Sequence, residues 1–301
     1  MGNVIAVIWD CDKTLIDGYM QDPIFKEYGI DSNKFWDDVN GEVEAYAKKG
    51  IRVNKDTYYL NYFIRAAHNG TLPGLNNERL HEFGKKQKFY RGIPEIFDRT
   101  RDMVNKNPKY TELGIKVEHY IVSTGFAELI RGSILNNYVE DIWGCELIDA
   151  PDEYGETLIN EVVYTIDNTT KTRAIFEINK GKDIDVNAKI PKEMRRAPFT
   201  NMIYIADGPS DIPAFSLVDQ MGGSTFAIYP RGDEDAMKQV EEMRDTSRVN
   251  MYAEADYSEG TTADLWIKNK IKKIADRIVK EHEEKVKNST SDTPKHLSSK
   301  Q

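Results

Sequence analysis

The chain has 301 residues, of which 40% are apolar and 30% charged, and its formal net charge at pH 7 is −9. Such an acidic chain lacks the basic surface that binding to nucleic-acid phosphates requires. Its two cysteines, Cys11 and Cys145, are too few for a disulfide framework or a four-thiolate zinc site. No apolar run approaches the ~20 residues of a membrane-spanning helix, and the first ten residues lack the pattern of a secretory signal. We therefore expect a cytoplasmic protein that binds neither nucleic acid nor membranes.

Four apolar runs predict the buried strands of a parallel sheet. The first, Val4–Trp9, is rich in β-branched residues and ends at Asp10. An uninterrupted apolar run is typical of a central strand that is covered on both faces. The other runs lie at 120–122, 202–206 and 226–229. Functional residues collect beyond the carboxyl ends of parallel strands, so the residues that follow these runs are candidate site residues.

Helical periodicity fills the long stretch between the first two strands. Apolar residues recur at helical spacing over about 33–48, 55–68 and 77–89. Because residues 18–89 are too many for one crossover connection, we predict that they form an inserted helical cap domain. The core is then a Rossmann-like α/β domain of residues 1–17 and 90–288, with helices on both faces of a parallel sheet.

Further elements are predicted along the second half of the chain. Helices are expected at about 94–105, 126–138, 172–179 and 262–287. Strands at 143–148 and 161–166 are expected, the second of them in a hairpin. Polar segments predict an irregular insertion at 181–199 and a disordered tail at 289–301.

Asp10 and Asp12 form the first candidate catalytic pair. They are spaced i, i+2 directly after a buried strand, so both carboxylates can face one site. A carboxylate at Asp10 can attack phosphorus and form an aspartyl-phosphate. Asp12 is placed to protonate the leaving oxygen and then to activate water. Taken alone, the pair is equally well explained as an acidic turn that ends a strand.

Polar residues at other strand and helix ends strengthen this interpretation. Ser123 ends the second apolar run, Lys171 begins a predicted helix, and Asp207 and Asp211 follow the third run. Taken singly, Ser123 is explained as a helix cap and Lys171 as a surface lysine. Four carboxylates at one sheet edge would repel one another without a cation, and Mg²⁺ prefers such oxygen ligands. The sequence therefore predicts a magnesium site.

The order of these motifs resembles that of the haloacid dehalogenase superfamily of phosphatases. Asp-x-Asp-x-Thr, Ser, Lys and Asp-Gly-x-x-Asp follow one another across residues 10–211. The resemblance implies that Asp10 is the nucleophile and that Asp12 is the general acid and base, whose backbone carbonyl also faces the metal. It assigns phosphate binding to Thr14, Ser123, Thr124, Gly125 and Lys171. It assigns the metal site to Asp10, Asp12, Asp207 and Asp211.

The helical insert between the first two motifs, and the phrase 121–126, resemble the phosphoserine phosphatase branch. That branch carries a glutamate nine residues after the nucleophile, which holds the ammonium group of the substrate. Here this position is Tyr19, and the usual Asn of the last motif is Ser210. The change at Tyr19 argues against phosphoserine as the substrate and favours an uncharged or aromatic leaving group.

We therefore predict a Mg²⁺-dependent hydrolase that cleaves a small phosphorylated metabolite through an aspartyl-phosphate. A phosphomutase or phosphotransferase would share every core motif and remains an alternative. A non-catalytic phosphate-binding protein on the same fold is a second alternative, although it would normally have lost Asp10, Asp12 or Lys171. A response-regulator receiver is disfavoured, because its phosphorylated aspartate lies on a later strand.

Overall fold

The computed structural model describes residues 2–181, 184–191 and 194–290, which build a seven-stranded sheet flanked by helices. The strands are β1 (Val4–Trp9), β2 (Lys116–Phe126), β3 (Asp141–Pro151), β4 (Thr157–Tyr164), β5 (Met202–Ala206), β6 (Ser224–Tyr229) and β7 (Met251–Glu254). Their order in the sheet is β4-β3-β2-β1-β5-β6-β7. All neighbours are parallel except β3 and β4, which form an antiparallel hairpin.

The helices surround this sheet in chain order. They are α1 (Asp22–Tyr28), α2 (Ser32–Lys48), α3 (Lys55–His68), α4 (Asn77–Gly84), α5 (Glu95–Asn105), α6 (Pro108–Thr111), α7 (Ala127–Gly132), α8 (Lys171–Lys180), α9 (Ile212–Gln220), α10 (Glu234–Asp245) and α11 (Thr262–Thr290). None of the described helices is both long and apolar enough to cross a lipid bilayer.

The pleat of β1 divides the core into two layers. Val7 and Trp9 pack with α5, α7 and α11 on one face, whereas Ala6 and Ile8 pack with α8, α9 and α10 on the other. All four side chains are fully buried, as the uninterrupted apolar run predicts for a central strand. The predicted α/β class, with helices on both faces, is confirmed.

Buried side chains of α1 to α4 belong to the same hydrophobic cluster as those of α5. Their aromatic cluster has ring centroids 4.8 Å apart for Phe25 and Phe35 and 4.9 Å apart for Phe35 and Phe63. This cluster continues into the core layer that contains Trp9. The assignment of residues 18–89 to a separate cap domain stays a prediction.

Several predicted boundaries were wrong. The helix predicted over 77–89 ends at Gly84, and the helix predicted over 126–138 is α7 followed by a short 3-10 turn. Ser133 ends α7 because its hydroxyl accepts the N–H of Leu135 at 3.2 Å and so starts that turn. The strand predicted at 161–166 is β4, which begins and ends earlier. Of the tail predicted at 289–301, residues 289 and 290 end α11 and the rest lie outside the described residues.

Two facing glycines let α4 and α7 pack at backbone contact. A Cβ on Gly132 would lie 2.0 Å from the carbonyl oxygen of His81, and one on Gly84 would lie 2.2 Å from that of Leu129. Both obstacles are backbone, so neither can rotate away. We expect Gly132→Ala to lower the free energy of unfolding by about 1–3 kcal/mol through overpacking. Chemical denaturation measures this, with the exposed Gly41→Ala in α2, where a Cβ meets nothing, as the control. Equal stability of the two variants would contradict the close contact.

Candidate active site

Strand register brings the motif residues to one edge of the sheet. Trp9 pairs with Ile121 on β2 and with Ile205 on β5, and the N–H of Asp10 donates to the Ile205 carbonyl at 2.9 Å. Asp10 therefore lies between the positions of Ser123 and Asp207, at the carboxyl ends of β1 and β5. This is the edge at which open α/β sheets place their ligands.

A polar turn aims Lys171 into this edge. The Asp167 carboxylate accepts the N–H groups of Thr169 at 2.9 Å and Thr170 at 2.6 Å, and its carbonyl accepts the N–H of Lys171 at 3.0 Å. These bonds start α8 with Lys171 as its first residue. Its ammonium is buried and donates to Asp10 Oδ1 at 2.9 Å and to Asp211 Oδ1 at 2.7 Å. The structure thus joins two of the predicted motifs through one buried cation.

Asp211 is fully buried and is held from three sides. Besides Lys171, the hydroxyl of Tyr204 donates to its Oδ1, and the hydroxyl of Ser210 donates to its Oδ2 at 2.9 Å. Sequence reasoning missed Tyr204, which it treated as one residue of an apolar strand. The signal available was a phenol in the middle of that run, three residues before Asp207. A buried phenol needs a partner for its hydroxyl.

The carboxylates of Asp10, Asp207 and Asp211 can share one cation. Each offers an oxygen atom, and these three atoms lie within 4.8 Å of one another. Oxygen ligands from carboxylates fit Mg²⁺. The carboxylate of Asp12 is not in this group; its Oδ1 accepts the N–H of Met20 at 2.9 Å instead. The prediction for Asp12 as a metal residue therefore rests on its backbone carbonyl alone.

Burial and mutual repulsion change the acidity of this cluster. Burial raises the pKa of Asp10 to about 6, against the attraction of Lys171 and with a further push from Asp211. Burial, Asp10 and Asp211 raise the pKa of Asp207 to about 7. Burial and the charge of Asp10 raise the pKa of Asp12 well above its usual range. Burial alone would lower the pKa of Lys171, but its two ion pairs outweigh burial and raise it. Asp12 is thus suited to hold a proton, and Lys171 to stay charged.

Three of the residues predicted to bind phosphate, Ser123, Thr124 and Gly125, lie within β2. Ser123 was expected to end its strand, but β2 continues to Phe126 with a shift in its pairing to β3 after Val122. The Ser123 oxygen accepts the N–H of Gly125 at 3.1 Å. The Thr124 carbonyl accepts the hydroxyl of Tyr59 from α3 at 2.8 Å. The carboxyl-terminal part of β2 is therefore bound to α3 of the helical insert.

Thr14 ties the first loop to the core. Its carbonyl accepts the hydroxyl of the buried Tyr257 at 2.8 Å. Its own hydroxyl is buried and finds no partner among the described residues. The role of Thr14 in phosphate binding stays a prediction.

Comparisons with known proteins follow this geometry. No protein-family model matches the chain. A protein of Borreliella burgdorferi that carries the name "Uncharacterized protein" is 38% identical over 283 residues, covering 89% of this chain and 97% of the relative. Among solved structures, a HAD family hydrolase of Salmonella enterica subsp. enterica serovar Typhi is 13% identical with a TM-score of 0.51, covering 84% of this chain and 67% of that chain. An apo phosphoserine phosphatase is 16% identical with a TM-score of 0.47, covering 84% of this chain and 96% of that chain.

Proposed function

Because the chain belongs to one family with the Borreliella burgdorferi protein and has the haloacid dehalogenase fold, we propose that it is a Mg²⁺-dependent phosphatase. It hydrolyses a small phosphate monoester through an aspartyl-phosphate on Asp10. The observation that carries this proposal is the buried Lys171, whose ammonium lies 2.9 Å from Asp10 and 2.7 Å from Asp211. The same proposal places the chain in the cytoplasm, where its two buried free cysteines, Cys11 and Cys145, remain reduced.

Asp10 performs the first step. Its carboxylate oxygen attacks phosphorus, the ester P–O bond breaks, and Asp12 gives its proton to the leaving oxygen. The raised pKa of Asp12 keeps that proton available at neutral pH. Lys171 keeps the Asp10 carboxylate ionised and neutralises charge on the phosphoryl oxygens.

In the second step Asp12 acts as a base, whereas in the first step it acts as an acid. Now ionised, it takes a proton from a water molecule whose oxygen attacks phosphorus. The bond between phosphorus and Asp10 breaks, and inorganic phosphate leaves. When bound at Asp10, Asp207 and Asp211, Mg²⁺ supplies positive charge that stabilises the phosphoryl oxygens. Ser123, Thr124 and Gly125 orient the phosphoryl group through hydroxyl and N–H donors.

Phosphate release from 4-nitrophenyl phosphate, with and without millimolar Mg²⁺, tests the proposal. We expect release that depends on Mg²⁺ and disappears with EDTA. A phosphomutase, given a phosphorylated sugar, would instead move the phosphoryl group to a second hydroxyl and release little inorganic phosphate. A non-catalytic binding protein would bind phosphate without turnover, and either result would overturn the proposed hydrolase.

Mg²⁺ is expected to stabilise the folded chain. A ligand that binds only the native state raises stability by mass action, by about 2.7 kcal/mol at a hundred times its dissociation constant. Asp207→Ala should remove most of this gain, since it deletes one of the three clustered oxygens. Thermal melts with and without Mg²⁺ measure both effects. Asp245→Ala, a change of an exposed aspartate at the end of α10, is the matched control and should keep the gain. If the melting temperature of the parent chain is the same with and without Mg²⁺, the proposed metal site is contradicted.

Phosphoserine is expected to be no better a substrate than other small monoesters. Tyr19 offers a ring and a hydroxyl, and no negative charge, to the ammonium group of phosphoserine. The measurement is kcat/KM for phosphoserine against a panel of small phosphomonoesters. A preference for phosphoserine of about a hundredfold or more would restore it as the substrate.

A further inference from the structure

Lys13 has a backbone conformation that lysine rarely adopts. Its φ is 52°, in the left-handed region, and its N–H donates to the Gly18 carbonyl at 3.0 Å. A side chain in this region costs about 1 kcal/mol relative to glycine. Such strain persists where the surrounding structure imposes it, and it clusters at functional sites. The tight loop that begins at Asp12 is therefore built with a strained lysine directly after the proposed general acid.

The Lys13 ammonium lies against an aromatic ring and not against a carboxylate. Its Nζ is 4.5 Å from the centroid of the Tyr19 ring. Within the described ranges, no carboxylate lies at ion-pair distance from it, although Asp207 and Asp233 are near enough to attract it. A cation–π contact holds an ammonium in place and leaves its full charge. Lys13 is therefore a positioned cation that is free to meet an anion.

Its place in the loop sets what it can reach. The Asp12 carboxylate binds the N–H of Met20, so Lys13 and Tyr19 flank the group that protonates the leaving oxygen. Lys171, in contrast, is buried and ion-paired with Asp10 and Asp211. The two lysines thus serve different parts of a substrate: Lys171 serves the phosphoryl group, and Lys13 lies on the side of the leaving group.

We propose that Lys13, held by Tyr19, is a specificity-determining residue that selects phosphate monoesters whose leaving group carries a negatively charged group. This inference rests on the proposed phosphatase function and deepens it. A half-exposed charge pair of this kind discriminates by up to about fivefold, and salt weakens it. Cationic leaving groups such as serine are disfavoured by the same charge.

The test uses two esters that differ in one charge. These are 3-carboxyphenyl phosphate and its neutral isostere 3-carbamoylphenyl phosphate, assayed at matched pH with Mg²⁺. The full chain is expected to prefer the carboxylate ester by about threefold to fivefold in kcat/KM, with the preference shrinking as salt rises. Lys13→Met should bring the ratio to about one, and Lys13→Arg should restore it.

Two further variants separate the effect of the Lys13 charge from that of its strained backbone and from a general loss of positive charge. Lys13→Gly fits a φ of 52° without strain, so it should melt no lower than the parent chain while also losing the preference. Lys109→Met makes the same change at an exposed lysine of α6 and should keep the ratio. If neither ester is cleaved, the proposed phosphatase itself fails. If both are cleaved and the ratio is the same in the parent chain and Lys13→Met, only the role of Lys13 is overturned.

Discussion

Asp10→Asn is expected to abolish phosphate release while the fold remains intact. Asparagine has the shape of aspartate, but its amide does not attack phosphorus as a carboxylate does. The loss of covalent catalysis should lower kcat by at least about a thousandfold. The measurement is kcat for 4-nitrophenyl phosphate at saturating substrate and Mg²⁺. Activity within about tenfold of the parent chain would contradict the nucleophile assignment.

Stability separates this loss from misfolding. Asp10 is buried beside Asp211, so removing its charge relieves repulsion as well as deleting one ion pair with Lys171. The metal-free Asp10→Asn variant should therefore melt at or above the temperature of the parent chain. Asp17→Asn, the same change at an exposed position of the same loop, should retain activity. A much lower melting temperature of Asp10→Asn, or lost activity of Asp17→Asn, would show that changes in this loop unfold it and would leave the nucleophile assignment unsupported.

Lys171→Met is expected to cost both activity and stability. Removing a buried cation leaves Asp10 and Asp211 facing one another without compensation, which costs about 3–5 kcal/mol. Activity should fall by about a hundredfold or more, since the phosphoryl group loses its buried positive charge. Denaturant titration and steady-state kinetics measure the two effects. The exposed pair of Lys106 and Asp102 provides the contrast: Lys106→Met should change stability by less than about 1 kcal/mol.

The cost of Lys171→Met should depend on pH. Without Lys171 the pKa of Asp10 rises above its value of about 6. Between pH 3.8, the ordinary pKa, and this higher value, Asp10 is protonated in the folded state and ionised in the unfolded state. Stability is therefore lost as pH rises through that window. We expect the variant to be most destabilised, relative to the parent chain, at pH 8 and least at pH 5. A difference that is constant across this range would contradict the ion pair between Lys171 and Asp10.

The central strands and the site motifs were accessible to sequence reasoning because their burial leaves a one-dimensional pattern. β1 and β5 match their predicted bounds, since strands covered on both faces read as unbroken apolar runs. Strand β7, with four residues at the edge of the sheet, has only one buried residue, Ala253, and was not predicted. Edge strands lack the burial that would mark them in sequence.

Contacts between distant residues could not be predicted in the same way. The bond from Tyr204 to Asp211 depends on which face of β5 the phenol occupies and on the turn that follows the strand. The extension of β2 to Phe126 depends on pairing with β3, because Gly125 has weak strand propensity and nothing local predicts that the strand continues through it. The position of Lys13 over Tyr19 depends on a loop that closes only through the bond from Lys13 to Gly18.

The central claim is that Asp10 carries the phosphoryl group during turnover. Borohydride reduces an aspartyl-phosphate to homoserine, which peptide mass spectrometry locates by residue. The reaction with 4-nitrophenyl phosphate, quenched with borohydride, should place homoserine at position 10. Asp12→Asn should increase its yield, because the good leaving group needs little protonation whereas hydrolysis of the intermediate still needs the base. Homoserine at Asp207 or Asp12, or none at all while phosphate is being released, would contradict the account.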